Sequence, residues 1–105
     1  MNKYRIVLSR RAWNDILNIG DYISLVLLEL DISRKYIKSL RSSISQLKIF
    51  PYKYSIIQDD TIKSKNIRCM PYKSYYVFYK VIETKKVIII LRVGYKNRNW
   101  GNILK

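Results

Sequence analysis

Four basic side chains near the end of the sequence sit where they could handle phosphate: Arg68, Arg92, Lys96 and Arg98. Aromatic residues stand among them: Tyr75, Tyr76, Tyr79, Tyr95 and Trp100. Guanidinium forks bind phosphate oxygens bidentately, and aromatic faces stack bases or take a cation. From Thr61 to Lys105 there are eleven Lys/Arg against one acid, Glu83, which places +10 of the whole-chain +14 on that stretch. Such a surface suits a polyanion or an acidic protein partner. A Lys-, Ile- and Asn-rich codon bias would also raise the charge, but it does not explain why acids all but vanish after Asp60.

The missing residue types narrow the chemistry. There is no histidine, hence no His general base and no Ser–His or Cys–His pair. The single cysteine, Cys69, excludes both an internal disulfide and a finger-type zinc site. The three glycines stand at 20, 94 and 101, so no glycine-rich phosphate loop exists. No cofactor or metal is implied. RNA could still be cut by its own 2′-hydroxyl, provided Arg or Lys orients it and stabilises the phosphorane.

These residues need a scaffold, and the periodicity supplies one. The 105 residues suit one domain over 1–105. Tyr4 to Leu8 reads as a strand and Ser9 as a helix N-cap. Ala12, Ile16, Ile19, Ile23 and Leu27 recur at helical spacing; Gly20 inside that run costs about 1 kcal/mol. Leu25 to Leu30 could read as a strand, but length favours the end of the helix. A second helix begins at Asp31 or Ser33, with Tyr36 or Ile37, Leu40, Ile44 and Leu47 as its stripe, and Pro51 stops it. The helices are expected over about residues 9–30 and 33–49. A loop follows over 51–62.

Three strands then follow. Asn66 to Met70 is the first, with Pro71 to Lys73 as its turn. Ser74 to Ile82 alternates Tyr75, Val77, Tyr79 and Val81 against Tyr76, Phe78, Lys80 and Ile82. Lys86 to Val93 is nearly all apolar, as a central strand would be. The fold class is α+β, in the order β-α-α-β-β-β, with a last helical turn at Trp100 to Leu104. The expected core holds Ile16, Ile19, Ile23, Leu40, Ile44, Leu47, Val77, Tyr79, Ile89 and Leu91. Period two puts Arg68 with Met70, and Arg92 with Ile88 and Ile90. One reading places Arg68 and Arg92 together on a concave sheet face; a solvated edge position would serve Arg92 equally. Tyr75 and Tyr79 suit core packing better than catalysis. The tail Lys96 to Trp100 reads as a target-facing segment with an exposed tryptophan. No run is long enough to span a membrane, and the N-terminus lacks a signal-type apolar stretch, so a cytoplasmic protein is expected.

The element order, the basic sheet and several local patterns resemble the RelE/ParE toxin superfamily over nearly the whole chain. The patterns are Tyr4-Arg5-Ile6-Val7-Leu8-Ser9-Arg10-Arg11-Ala12, Asp15-Ile16-Leu17, Asp21-Tyr22-Ile23 and Leu47-Lys48-Ile49-Phe50-Pro51. Ile67-Arg68, Tyr75-Tyr76-Val77-Phe78-Tyr79 and Leu91 to Trp100 complete them. The resemblance implies the toxin of a type II toxin–antitoxin pair. Its partner would be a cognate antitoxin that wraps over the helices and sheet and carries the complex to operator DNA, as in plasmid stabilisation systems. RelE-like members cleave mRNA on the ribosome without metal. ParE-like members poison DNA gyrase and are not nucleases. A RelE-like reading would make Arg68, Lys96 and Arg98 catalytic, but Tyr76 stands where that branch has an arginine, and Trp100 to Asn102 offers no late tyrosine. The tail Arg92 to Trp100 resembles the ParE-like form more closely. In that reading Arg68, Arg92, Tyr95, Lys96, Arg98 and Trp100 contact the target. An inactive member, or a plain basic nucleic-acid-binding module, is the third reading.

Overall fold

The computed structural model describes residues 3–26 and 30–105. Strand β1 is Arg5–Leu8, followed by helix α1, Arg10–Asp21, and helix α2, Leu30–Ser45. Strands β2, Arg68–Tyr72, β3, Tyr75–Ile82, and β4, Val87–Tyr95, form the meander, and a short helix α3, Trp100–Ile103, closes the chain. The sheet order is β1-β4-β3-β2, with β1 parallel to β4 and the other pairs antiparallel.

Ser9 caps α1 as its residue type suggests: its Oγ accepts from the Ala12 N–H at 3.0 Å and donates to Leu91 O at 2.9 Å. That pair of bonds ties the helix start to β4. Residues Tyr22–Val26 continue as a π-helical turn, so Leu25 and Val26 are helical and not part of a strand. Leu27 lies outside the described residues. At Gly20 the two helices approach closely; an added Cβ would lie 3.5 Å from the Ile37 side chain, and Ser33 donates to Gly20 O at 2.8 Å. Small residues here let the hairpin close, which outweighs the helix-propensity cost of the glycine.

The helix-side core takes Ile16, Ile19, Ile23, Leu40, Ile44, Leu47, Val77 and Tyr79, as the two stripes and the alternation require. Each such aliphatic side chain contributes about 1.5–3 kcal/mol on burial. Ile89 and Leu91 do not belong to it. Ile88 and Ile90 do, and both are fully buried. An almost continuous apolar strand carries no parity signal, so the sequence could not choose between the two sets. The turn after β2 is also shorter than expected: Pro71 and Tyr72 stay in the strand, with Pro71 exposed on the sheet edge, where its missing N–H costs no ladder bond.

A second cluster covers the opposite face of the sheet. Ile62, Ile67, Phe78, Trp100 and Leu104 form it, with Leu91 packed against them. The β3–β4 turn is held by Glu83, which accepts from Tyr4 Oη at 2.7 Å, from Tyr52 Oη and from Lys86 Nζ. Lys86 and then Tyr52 hold the Glu83 carboxyl down at about 2, and the same contact to Glu83 pushes the Tyr52 phenol up to about 12. A depressed acid stabilises the fold above its unfolded pKa, and that contribution is lost as pH falls towards the folded value. Glu83→Gln should therefore flatten the fall in melting temperature between about pH 5 and pH 2. Equal acid sensitivity of wild type and variant would show that the turn network adds nothing.

Candidate target-binding surface

The chain leaves β4 at Tyr95 and folds back at once. Trp100 is 7% exposed and packs against Phe78 at 4.6 Å between ring centroids, with the rings tilted by 50°. Its indole N–H donates to Tyr95 O at 2.7 Å. The tryptophan is thus a buried anchor, and the expectation of an exposed aromatic is overturned. Gly94 makes the approach possible: a Cβ there would lie 2.6 Å from the Trp100 ring. A solvent-exposed indole would have left most of its apolar area in water, whereas the second face of the sheet offered Phe78 to cover it.

Around that anchor the tail displays its polar residues. Tyr95 is 44% exposed and stacks on Tyr75 at 4.8 Å. Lys96 lies 5.5 Å over the Tyr76 ring, and its N–H donates to Ser74 O. The Arg98 guanidinium sits 5.1 Å over the Trp100 ring. Tyr95, Lys96 and Arg98 are exposed together at the β2–β3 hairpin end of the sheet.

Arg92 and Arg68 lie elsewhere, and not on one face. In β4 the register slips so that Phe78 pairs with Arg92 but Tyr79 with Ile90, which leaves Leu91 as a bulged extra residue. The bulge reverses the parity beyond it. Val93 joins Ile88 and Ile90 in the helix-side core, while Arg92 falls on the Phe78 side, 6.0 Å over the Trp100 ring. Its Nε and Nη2 donate to Asp15 at 2.8 and 3.1 Å. Asp15 Oδ2 also accepts the Val93 N–H at 2.9 Å, on the edge of β4 that β1 no longer covers. The bond to Asp15 raises the Arg92 pKa further. Arg68 keeps the parity expected of it and sits on the helix side with Met70. Its Nη1 donates to Tyr54 O at 2.7 Å, and its guanidinium covers the Tyr52 ring at 4.8 Å.

Asp15 is the residue that sequence reasoning missed. It stands one position before Ile16 on the α1 stripe, which puts it at the border of the buried face, where a carboxylate can reach a sheet edge. The tyrosines take the packing role. Tyr75 and Tyr79 are buried, Tyr79 Oη donates to Pro51 O at 2.8 Å, and burial pushes its phenol up to about 12. Burial likewise raises the Cys69 thiol, to about 11.

This architecture has known counterparts. The toxin–antitoxin complex RelBE2 from Mycobacterium tuberculosis aligns with a TM-score of 0.59 at 14% identity, over 89% of this chain and 98% of that one. A chromosomal ParDE system from P. aeruginosa aligns with a TM-score of 0.71 at 16% identity, over 90% of this chain and 98% of that one. At such identities the likeness is one of fold. No curated protein matches by sequence. The model of the ParE toxin of the type II toxin–antitoxin system, parDE, matches residues 6–100, from the start of β1 to the buried tryptophan. The chain therefore belongs to the ParE toxin family of type II toxin–antitoxin systems.

Proposed function

We propose that this toxin arrests growth by binding and poisoning DNA gyrase in the cytoplasm, without nuclease chemistry, and that a cognate antitoxin neutralises it. The observation that carries this reading is the separation of the residues a RelE-like nuclease would use. Arg68 lies in the Tyr79 row of the sheet and is engaged on the helix side, whereas Lys96 and Arg98 follow the Tyr75–Tyr95 row. Four rows of strand, roughly 13 Å, lie between them. Arg68 is held to Tyr54 O on the helix side, while Lys96 and Arg98 lie over Tyr76 and Trp100 on the opposite face, so the three do not converge on one scissile phosphate. Burial also raises the pKa of Tyr75 and Tyr79, so neither is a ready general base.

The exposed cluster of Tyr95, Lys96 and Arg98 on a rigid anchor suits protein recognition instead. For the antitoxin, α1 and its continuation present Trp13, Leu17, Tyr22 and Leu25, each about half exposed or more. The i, i+4 spacing of Trp13 and Leu17 makes a stripe that an apolar partner segment would cover. In this reading the antitoxin also brings the complex to operator DNA.

The test is a supercoiling assay with purified gyrase beside a ribosome-programmed mRNA cleavage assay. The intact chain should inhibit supercoiling and leave mRNA uncut. Lys96→Ala and Arg98→Ala should each weaken inhibition by about tenfold. Cleavage of mRNA with untouched supercoiling would overturn the reading. Deleting residues 96–105 is not a clean alternative, because it strips Trp100 and Leu104 from the second cluster.

A further inference from the structure

A cleft of about 400 Å³ opens on the second face of the sheet, between the start of α1 and the end of the chain. Its lining brings Arg10 and Arg11 from the first turn of α1 together with Lys65 and Lys80. None of these four is among the catalytic or target-contacting residues that the superfamily resemblance implies. Arg92 lines the cleft too, but its charge is met by Asp15. Among the described residues, Arg10, Arg11, Lys65 and Lys80 form no ion pair with a carboxylate.

This arrangement is costly in the free protein. Cations at the start of a helix oppose its dipole, and α1 has no acid in its first turn to relieve them. Lys80 is only half exposed, on a strand whose neighbours on that face are apolar. The hydrogen-bonding character of the cleft is one-sided as well. The side-chain nitrogens of its cations can only donate. Two carbonyls at its wall are already taken: Leu104 O accepts from Lys65 Nζ at 2.9 Å and Leu91 O from Ser9 Oγ at 2.9 Å. A peptide laid here would meet an excess of donors and few free acceptors for its N–H groups, at a cost in free energy. A phosphodiester backbone offers acceptors only, and its charges recur along the strand.

We infer that this cleft binds the phosphodiester backbone of a nucleic acid, with Arg10, Arg11, Lys65 and Lys80 as the contacting cations. Aliphatic walls at Ile67 and Leu91 and the lack of an aromatic platform make it a backbone site that does not read bases. The inference deepens the gyrase reading, in which it would place DNA beside the toxin. It does not need gyrase to be tested, so either can fail alone.

The experiment measures fluorescence anisotropy of a short labelled DNA duplex with the full chain, between about 50 and 200 mM salt. Binding should weaken steeply with salt. Arg11→Ala with Lys80→Ala should weaken it by more than about tenfold and reduce the salt slope by about two. Lys35→Ala with Lys85→Ala, which removes the same charge outside the cleft, should change affinity by less than about threefold. Lys80→Arg should retain binding, which separates loss of contact from loss of fold, and thermal melts check each variant. An equal loss in the Lys35/Lys85 variant would show that net charge alone binds the duplex. No binding at low salt, or displacement by polyglutamate as readily as by unlabelled DNA, would also overturn the inference.

Discussion

Trp100→Ala should destabilise the fold by about 3–5 kcal/mol, the usual range for emptying a buried aromatic site. Small domains have only about 5–15 kcal/mol in all. The loss has three sources: the contact with Phe78, the indole hydrogen bond to Tyr95 O, and the packing against Gly94. Because Arg98 lies over the same ring, the variant should also lose its target contact at temperatures where it stays folded. Trp100→Phe should recover part of the stability, since it refills much of the volume but lacks the N–H. Denaturant unfolding followed by far-ultraviolet dichroism measures this. A midpoint within error of wild type for Trp100→Ala would mean that the tail is not docked in solution.

Asp15→Ala should cost about 3 kcal/mol or more, because it leaves the Arg92 guanidinium without its counter-charge and the Val93 N–H without its acceptor. The pair is largely shielded, with side-chain exposures of 17% and 13%, so solvent does little to compensate. Arg92→Ala should cost less, since Asp15 keeps the bond from Val93 N–H. The double variant should be less destabilised than the two single losses added together, by roughly 0.5–3 kcal/mol of coupling. Additive losses would mean that the pair does not interact in solution. The same cycle bears on function: if Arg92→Ala abolishes toxicity while costing little stability, Arg92 contacts the target directly as well as bracing α1 against β4.

Much of this protein was legible from residue order alone. Stripes at helical spacing named the buried faces of α1 and α2, and the β3 alternation separated Tyr75, Val77 and Tyr79 from Tyr76 and Phe78. Local periodicity suffices there because each side chain's direction follows from its own backbone. The same holds for Ser9, whose capping bond spans three residues. The superfamily resemblance was legible for the same reason, since its patterns lie within single elements.

Tertiary structure decided what depends on contacts between distant segments. The parallel pairing of β1 with β4 joins residues some eighty positions apart, and no local pattern encodes it. One bulged residue, Leu91, reversed the face of Arg92 and sent it to Asp15; a one-residue slip changes every parity beyond it. Trp100 stands among polar residues in a tail and reads as exposed, yet Gly94 leaves room for it on Phe78. The basic cleft was equally hidden, because its cations come from α1, β3 and the turn before β2, and only the folded sheet brings them to one opening.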